Sequence, residues 1–272
     1  MLIELLPLIL GLIAAGVLGG LIAGLLGVGG GIVLVPAMAL AFEFLGFNPD
    51  IYHHVAVGTS LAIIIATGTT SALAHQKHNA VMFDVVKIWA PFIMSASLLG
   101  GITAGMFSGD SLRIIFGVTA FFIALNIILP VQKTLMSRLA GSAIAHRISA
   151  FFIGYISALM GIGGGSLSVP TLSAFGHSIH KSVGTGAVLG VLIAIPGAIG
   201  FIISGWGVAG RPNYSFGYVN LPALVLIGVV ASAFAPMGAA LAHRLVAKKL
   251  KLVFAIFLLA VGTRMIIQAF WG

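Results

Sequence analysis

Two glycine triplets are the residues of this chain best suited to hold a ligand. Gly29, Gly30 and Gly31 are followed by Pro36 in LGVGGGIVLVP (26–36). Gly163, Gly164 and Gly165 are followed by Pro170 in MGIGGGSLSVP (160–170), at an offset of 134. Glycine turns tightly and lets a ligand approach the backbone with no Cβ in the way. Where such a triplet opens a helix, the first N–H groups lack intrahelical partners and the positive end of the helix dipole faces outward. Two converging triplets would form an anion site. Pro36 and Pro170 carry no N–H, so they would free carbonyls near Ile32 and Ser166 and loosen each helix start. A phosphate-binding P-loop is excluded, because neither triplet is followed by Lys-Ser or Lys-Thr at the required spacing. Close helix crossing is the other use of glycine, and it suffices for Gly16, Gly20 and Gly24, spaced four apart on one face.

Polar side chains near the triplets are few. Thr59, Ser60 and Thr185 occupy matching places in VGTS (57–60) and VGTG (183–186) and could add hydroxyl donors to an oxyanion, or simply bond their own helix backbone. Ser166 stands where the first triplet has Ile32, so a site between the triplets is expected to be pseudo-symmetric, with one extra hydroxyl. His54 matches His180; both read as interfacial caps, with proton coupling as the second option. His75 and His78 at i, i+3 lack a nearby third ligand, so no metal is expected. Arg264 lies within the last apolar segment, with Asn126 as its repeat partner. It either snorkels to the interface or belongs to an anion pathway. Glu43, Asp50, Asp84 and Asp110 all fall at segment ends, leaving no buried carboxylate pair for a sodium site or proton relay. That favours anions over cations as cargo.

These residues sit in a chain that water cannot solvate. Of 272 residues, 60% are hydrophobic and 7% charged, against about 25% charged in soluble domains. Ten apolar segments are expected at roughly 5–26, 32–46, 53–74, 82–106, 111–131, 141–160, 166–176, 182–204, 219–242 and 250–270, leaving only short loops. The expected fold is therefore an all-α polytopic membrane protein. Segments 32–46 and 166–176 would span about 22 Å and about 16 Å, less than the ~30 Å hydrocarbon core, and read as half-helices that stop at depth. Zero cysteines exclude disulfides and thiolate chemistry. The net charge of +8 is scattered through loops, which argues against nucleic acid. The N-terminal stretch has no basic n-region and carries Glu4, so it reads as the first membrane segment rather than a cleaved signal peptide.

Three blocks recur in order, the third being LRIIFGV (112–118) and LKLVFAI (250–256). The halves are expected at 1–131 and 148–272, joined by a basic linker at 132–147. If each half opens with a hairpin returning to its starting side and continues with three spans, the halves must be inverted. With the linker in the cytoplasm, Lys77, Lys87, Lys133, Arg138, Arg147, Lys181, Arg244, Lys248, Lys249 and Lys251 fall inside. Arg113, Arg211 and Arg264 fall outside, as do both termini. That split follows the positive-inside rule. Inverted repeats with broken helices are the architecture of secondary transporters, with the site near the midplane.

GLLGVGGGIVLVP (24–36), its echo at 160–170, VGTS, NAVMFD (79–84), GYVNLPALVL (217–226) and GAALAHRLVAKKLKLVFAIFLL (238–259) resemble the sulfite exporter TauE/SafE family over nearly the whole chain. The resemblance implies a multi-pass permease of the bacterial or archaeal inner membrane, moving sulfur-containing anions such as sulfite, thiosulfate or sulfoacetate, with no cofactor. Carried onto this chain, it singles out Gly29–Gly31 with Pro36 and Gly163–Gly165 with Pro170. The expected partners are a small anion and the lipid bilayer, with proton coupling as an option and the oligomeric state unreadable. Alternating access is expected, with export favoured because an inside-negative potential drives anions outward. An anion channel of the same fold and proton-coupled uptake of another organic anion are the alternatives. An enzyme is not expected, since no nucleophile–base or metal constellation stands out.

Overall fold

A computed structural model describes residues 2–27, 29–128, 141–242 and 247–271. The first half folds as α1 (Leu2–Leu26), α2 (Gly31–Phe44), α3 (Pro49–Lys77), α4 (Phe83–Ala104) and α5 (Gly109–Ile128). The second folds as α6 (Ala143–Met160), α7 (Gly165–Ala174), α8 (Ile179–Ser204), α9 (Leu221–Ala242) and α10 (Ala247–Trp271). Among the described residues, α1, α3, α4, α5, α6, α8 and α9 are long and apolar enough to cross a bilayer. The chain is an all-α polytopic membrane protein. Its outer surface is apolar, with Leu18, Leu73, Phe122, Phe152 and Val229 all more than half exposed.

Local chemistry sets the helix limits. α1 gives way at Gly27, whose φ of +66° favours glycine, and α6 ends the same way at Gly161, at +65°. α2 and α7 have 14 and 10 residues, about 21 Å and about 15 Å, so neither spans a bilayer. α3 starts on a sequence signal: the Asn48 side chain accepts from Asp50 N at 3.0 Å, with Pro49 at the first helical position. Ser142 caps α6 by accepting from Ala145 N at 3.3 Å. Helix therefore begins inside the segment 132–147 expected to be a linker. Residues 132–140 of that segment lie outside the described ones, as do the side chains of Arg244, Lys248, Lys249 and Lys251.

α3 and α8 are the most enclosed spans, with 67% and 61% of their apolar windows buried against 33–44% for the others. They cross in opposite directions. Gly58 packs on Phe201, Gly197 on Leu61, and Gly68 on Val191 and Ala187. The remaining pairings recur between halves: α1 packs on α9 as α6 does on α4, and α3 packs on α9 as α8 does on α4. The Gly16, Gly20 and Gly24 stripe is spent inside the chain, where it meets Val230, Ala231 and Gly238 of α9.

The loops collect at two ends. At one end, His54 reaches Phe107 O, Gly105 packs on Ser204, Arg113 bonds Pro49 O, and Gln268 of α10 bonds Glu43 of α2. At the other end, Ala80 packs on Gly184, Trp89 bonds His146, and His146 stacks on Phe175. Since α1 runs alongside α9, it starts at the first end, where α2 also finishes. α6 starts and α7 finishes at the second. A two-stranded pair, β1 (Ser215–Phe216) and β2 (Val219–Asn220), closes the first end with Ser215 opposite Asn220.

Candidate functional site

The two glycine loops meet. A Cβ on Gly29 would lie 3.1 Å from Gly163 Cα, and one on Gly31 would lie 2.8 Å from Ser60 Oγ. Gly29 and Gly30 take φ of +73° and +80°, conformations that side chains resist. The second loop differs: Gly164 is right-handed, with φ −54°, and glycine there admits the neighbours instead, since a Cβ would lie 2.8 Å from Ile193 Cδ1 and 3.2 Å from Gly190 N. All six triplet glycines are buried.

The loops offer donors. Among the described residues, the N–H groups of Gly163, Gly164 and Gly165 form no hydrogen bond; the nearby bonds begin with Ser166 N to Gly163 O at 3.4 Å and Ser168 N to Gly164 O at 2.7 Å. Ser166 Oγ is also buried and without a partner. Buried polar groups are nearly always paired, so this concentration of unpaired donors at one chain break is what a ligand site provides. Pro36 and Pro170 sit inside α2 and α7, one turn past these starts.

α3 clamps both loops. Ser60 Oγ donates to Gly161 O at 2.7 Å, and Thr67, which sequence reasoning passed over, donates to Gly29 O at 3.2 Å. Thr67 lies seven residues after Ser60, a helical spacing that could have pointed to it. Thr59 and Thr185 behave as a matched pair. Thr59 Oγ1 accepts from Asn220 N at 2.9 Å and Thr185 Oγ1 from Met82 N at 2.9 Å, at the residues before α9 and α4. These hydroxyls hold helix starts from a buried position.

The remaining polar candidates lie elsewhere. Arg264 is exposed, 3.7 Å from Glu43 Oε2. Asn126 is half-buried near the far end of α5, which runs antiparallel to α10, so the two are not brought together. His54 is buried, with Nε2 3.2 Å from Ala104 O and 3.0 Å from Phe107 O, and it stacks on Tyr218. It thus caps the end of α4, whereas its sequence match His180 is exposed. His75 Nε2 bonds Gly24 O at 2.9 Å, and no metal-binding group of three or more His, Cys, Asp or Glu occurs among the described residues. In the turn between α7 and α8, partial burial lowers the pKa of His177, helped by His146 and Lys181. Burial raises that of Tyr218 in the opposite loop, against the pull of Arg211.

The fold is that of an apolar, polytopic helical bundle in which the loops preceding two short helices meet. The sulfite exporter TauE/SafE family matches residues 12–265, and the chain belongs to that family. It is 34% identical over 255 residues to a Haemophilus influenzae protein named "Probable membrane transporter protein", covering 93% of this chain and 96% of the relative. It is 26% identical to the Bacillus subtilis "Probable membrane transporter protein YunE", covering 96% and 98%, and 22% identical to the Methanocaldococcus jannaschii "Probable membrane transporter protein MJ0441", covering 94% of each. No solved structure matches the chain.

Proposed function

We propose that the chain is a secondary transporter of small sulfur-containing anions, such as sulfite, thiosulfate or an organosulfonate like sulfoacetate, in a bacterial or archaeal cytoplasmic membrane. The observation that carries this reading is the contact between the two glycine loops, where the N–H groups of Gly163, Gly164 and Gly165 and the Ser166 hydroxyl have no hydrogen-bond partner among the described residues. Backbone donors suit an oxyanion, since they bring positive potential without a buried charge that would hold the anion too tightly to release. Gly29, Gly30 and Gly31 supply the facing wall; Ser60 steadies the second loop through Gly161 and Thr67 the first through Gly29. Thr59 and Thr185 act on the site by fixing the starts of α9 and α4.

Alternating access follows if the halves are an inverted repeat. The antiparallel crossing of α3 and α8 supports it, as does the start of α1 and α6 at opposite ends of the molecule. The positive-inside rule then puts the end holding Arg113 and Arg211 outside, with both termini. Without coupling, an inside-negative potential drives an anion outward by about 2.3 kcal/mol per charge per 100 mV, so export needs no further energy source.

The test is transport current on a solid-supported membrane, from purified protein in liposomes given sulfite, thiosulfate, sulfoacetate, sulfate or chloride. A saturable current for a sulfur oxyanion is expected. It should be abolished by Gly30→Val and Gly164→Val, and its half-saturation raised roughly two- to tenfold by Ser166→Ala, the loss of one hydrogen bond. No current for any sulfur anion from intact protein rejects the proposed cargo; unitary conductance in place of turnover would make it a channel.

A further inference from the structure

α3 carries one polar face from end to end. His53, Ser60, Thr67, Ser71 and His75 follow at steps of seven, seven, four and four, which keep to one side of a helix, and all five are buried. Four of them bond the two hairpins. Ser60 reaches Gly161 O and Thr67 reaches Gly29 O, as above; Ser71 donates to Ala23 O at 3.4 Å and His75 bonds Gly24 O. The fifth, His53, is 0% exposed, and neither Nδ1 nor Nε2 has a hydrogen-bond partner among the described residues. A wholly enclosed imidazole with both nitrogens unpaired is not a packing residue.

The second half does not repeat this face. The 126-residue offset that matches VGTS to VGTG places Ile179, Gly186, Ile193, Gly197 and Phe201 at the five positions of α8. Thr59 and Thr185, which hold helix starts, recur in both halves. Groups that serve the scaffold are duplicated, while the polar face of α3 occurs once.

We propose that His53 is a proton site that couples anion movement at the glycine loops to protons, an inference that rests on the transporter reading above. His53 lies two turns from Ser60, about 10 Å along the helix. In a buried, apolar surrounding, a proton on an imidazole and an anion at the loops are each costly alone. Arriving together, the proton on α3 and the anion at the loops that α3 holds offset each other's charge. The proton adds to a ring nitrogen lone pair and leaves from the same nitrogen when the anion goes. No covalent bond to the anion forms.

The neighbouring charges leave this role to His53. Arg113 on α5 and His54 on α3 are the groups that act on it electrostatically. Arg113 is engaged by Asp110, by Pro49 O and by the Tyr52 ring, and His54 by two carbonyls of the α4 terminus and by Tyr218. Glu43 of α2 and Arg264 of α10 pair with each other and act on Tyr52, Arg211 bonds carbonyls of its own loop, and Asp50 is exposed at the start of α3.

The experiment uses liposomes loaded with a pH dye and challenged with whichever of thiosulfate, sulfoacetate or sulfite the wild-type protein exchanges. Thiosulfate and sulfoacetate stay deprotonated near neutral pH. For sulfite, comparison with the variant removes the proton it carries itself. Wild-type protein should accumulate the anion against an acid exterior and acidify the lumen as the anion enters. His53→Gln should keep anion-for-anion exchange within about twofold and lose acid-driven accumulation by tenfold or more. Wild-type exchange without proton movement overturns the proposal and leaves the transporter reading intact. Acid-driven accumulation that survives in His53→Gln also overturns it. Should His53→Gln lose exchange, His53→Asn decides, and loss of exchange in both assigns His53 to the fold. Failure of the wild type to exchange any of the three anions rejects the cargo proposed above, and this inference with it.

Discussion

A hydroxyl can serve a ligand or a backbone, and the partner decides which. The sequence places Thr59 and Thr185 early in matching helices, where they read as donors to an oxyanion. The structure has them accepting N–H groups of Asn220 and Met82, contacts 161 and 103 residues away in sequence that no local pattern could announce. Thr59→Val should therefore lower stability by about 1–3 kcal/mol, because it strands a buried N–H. Thr59→Ser should restore most of it. Thermal unfolding in detergent reads both variants; equal stability of Thr59→Val and wild type would free the hydroxyl for the substrate. Ser166 is the converse case. Its hydroxyl was legible as the one departure from symmetry between the triplets, and its side chain makes no competing bond.

The two short helices were readable because length and glycine placement are local properties. The two half-helices fall close to their expected limits, and the Pro49 start of α3 was missed only by leaving out the Asn-Pro-Asp cap. The β1–β2 pair was not readable: its strands have two residues each, too short for any alternation, and Gly217 at φ +57° permits the turn. The small-residue stripe on α1 was visible, but its partner was not. Gly20 and Gly24 lie flat on α9, where a Cβ would sit 2.9 Å from Ala231 Cα and 2.9 Å from Gly238 C. Backbone on backbone leaves no side chain to yield. Gly24→Leu should separate α1 from α9 and remove the folded peak in size-exclusion chromatography. Gly11→Leu, at an exposed position with open space around it, should elute as wild type.

The whole molecule can be oriented with a reagent that does not cross membranes. The chain has no cysteine, so a single introduced thiol reports alone. If the halves are inverted with the linker inside, cysteines at Gly207 and Tyr214 should label from the outside of intact cells, while one at Asn79 should label only after permeabilisation. Labelling of all three from one side would sink the inverted arrangement. The pairing of α1 with α9 and of α4 with α6 bears on how the protein is made. Between the end of α1 at Leu26 and the start of α9 at Leu221 the ribosome adds 194 residues, which takes about 10–40 s at typical synthesis rates. Throughout that time the glycine face of the first helix lacks the partner it has in the folded molecule. Neither half can finish its own packing, so assembly is completed only when the last fifth of the chain arrives.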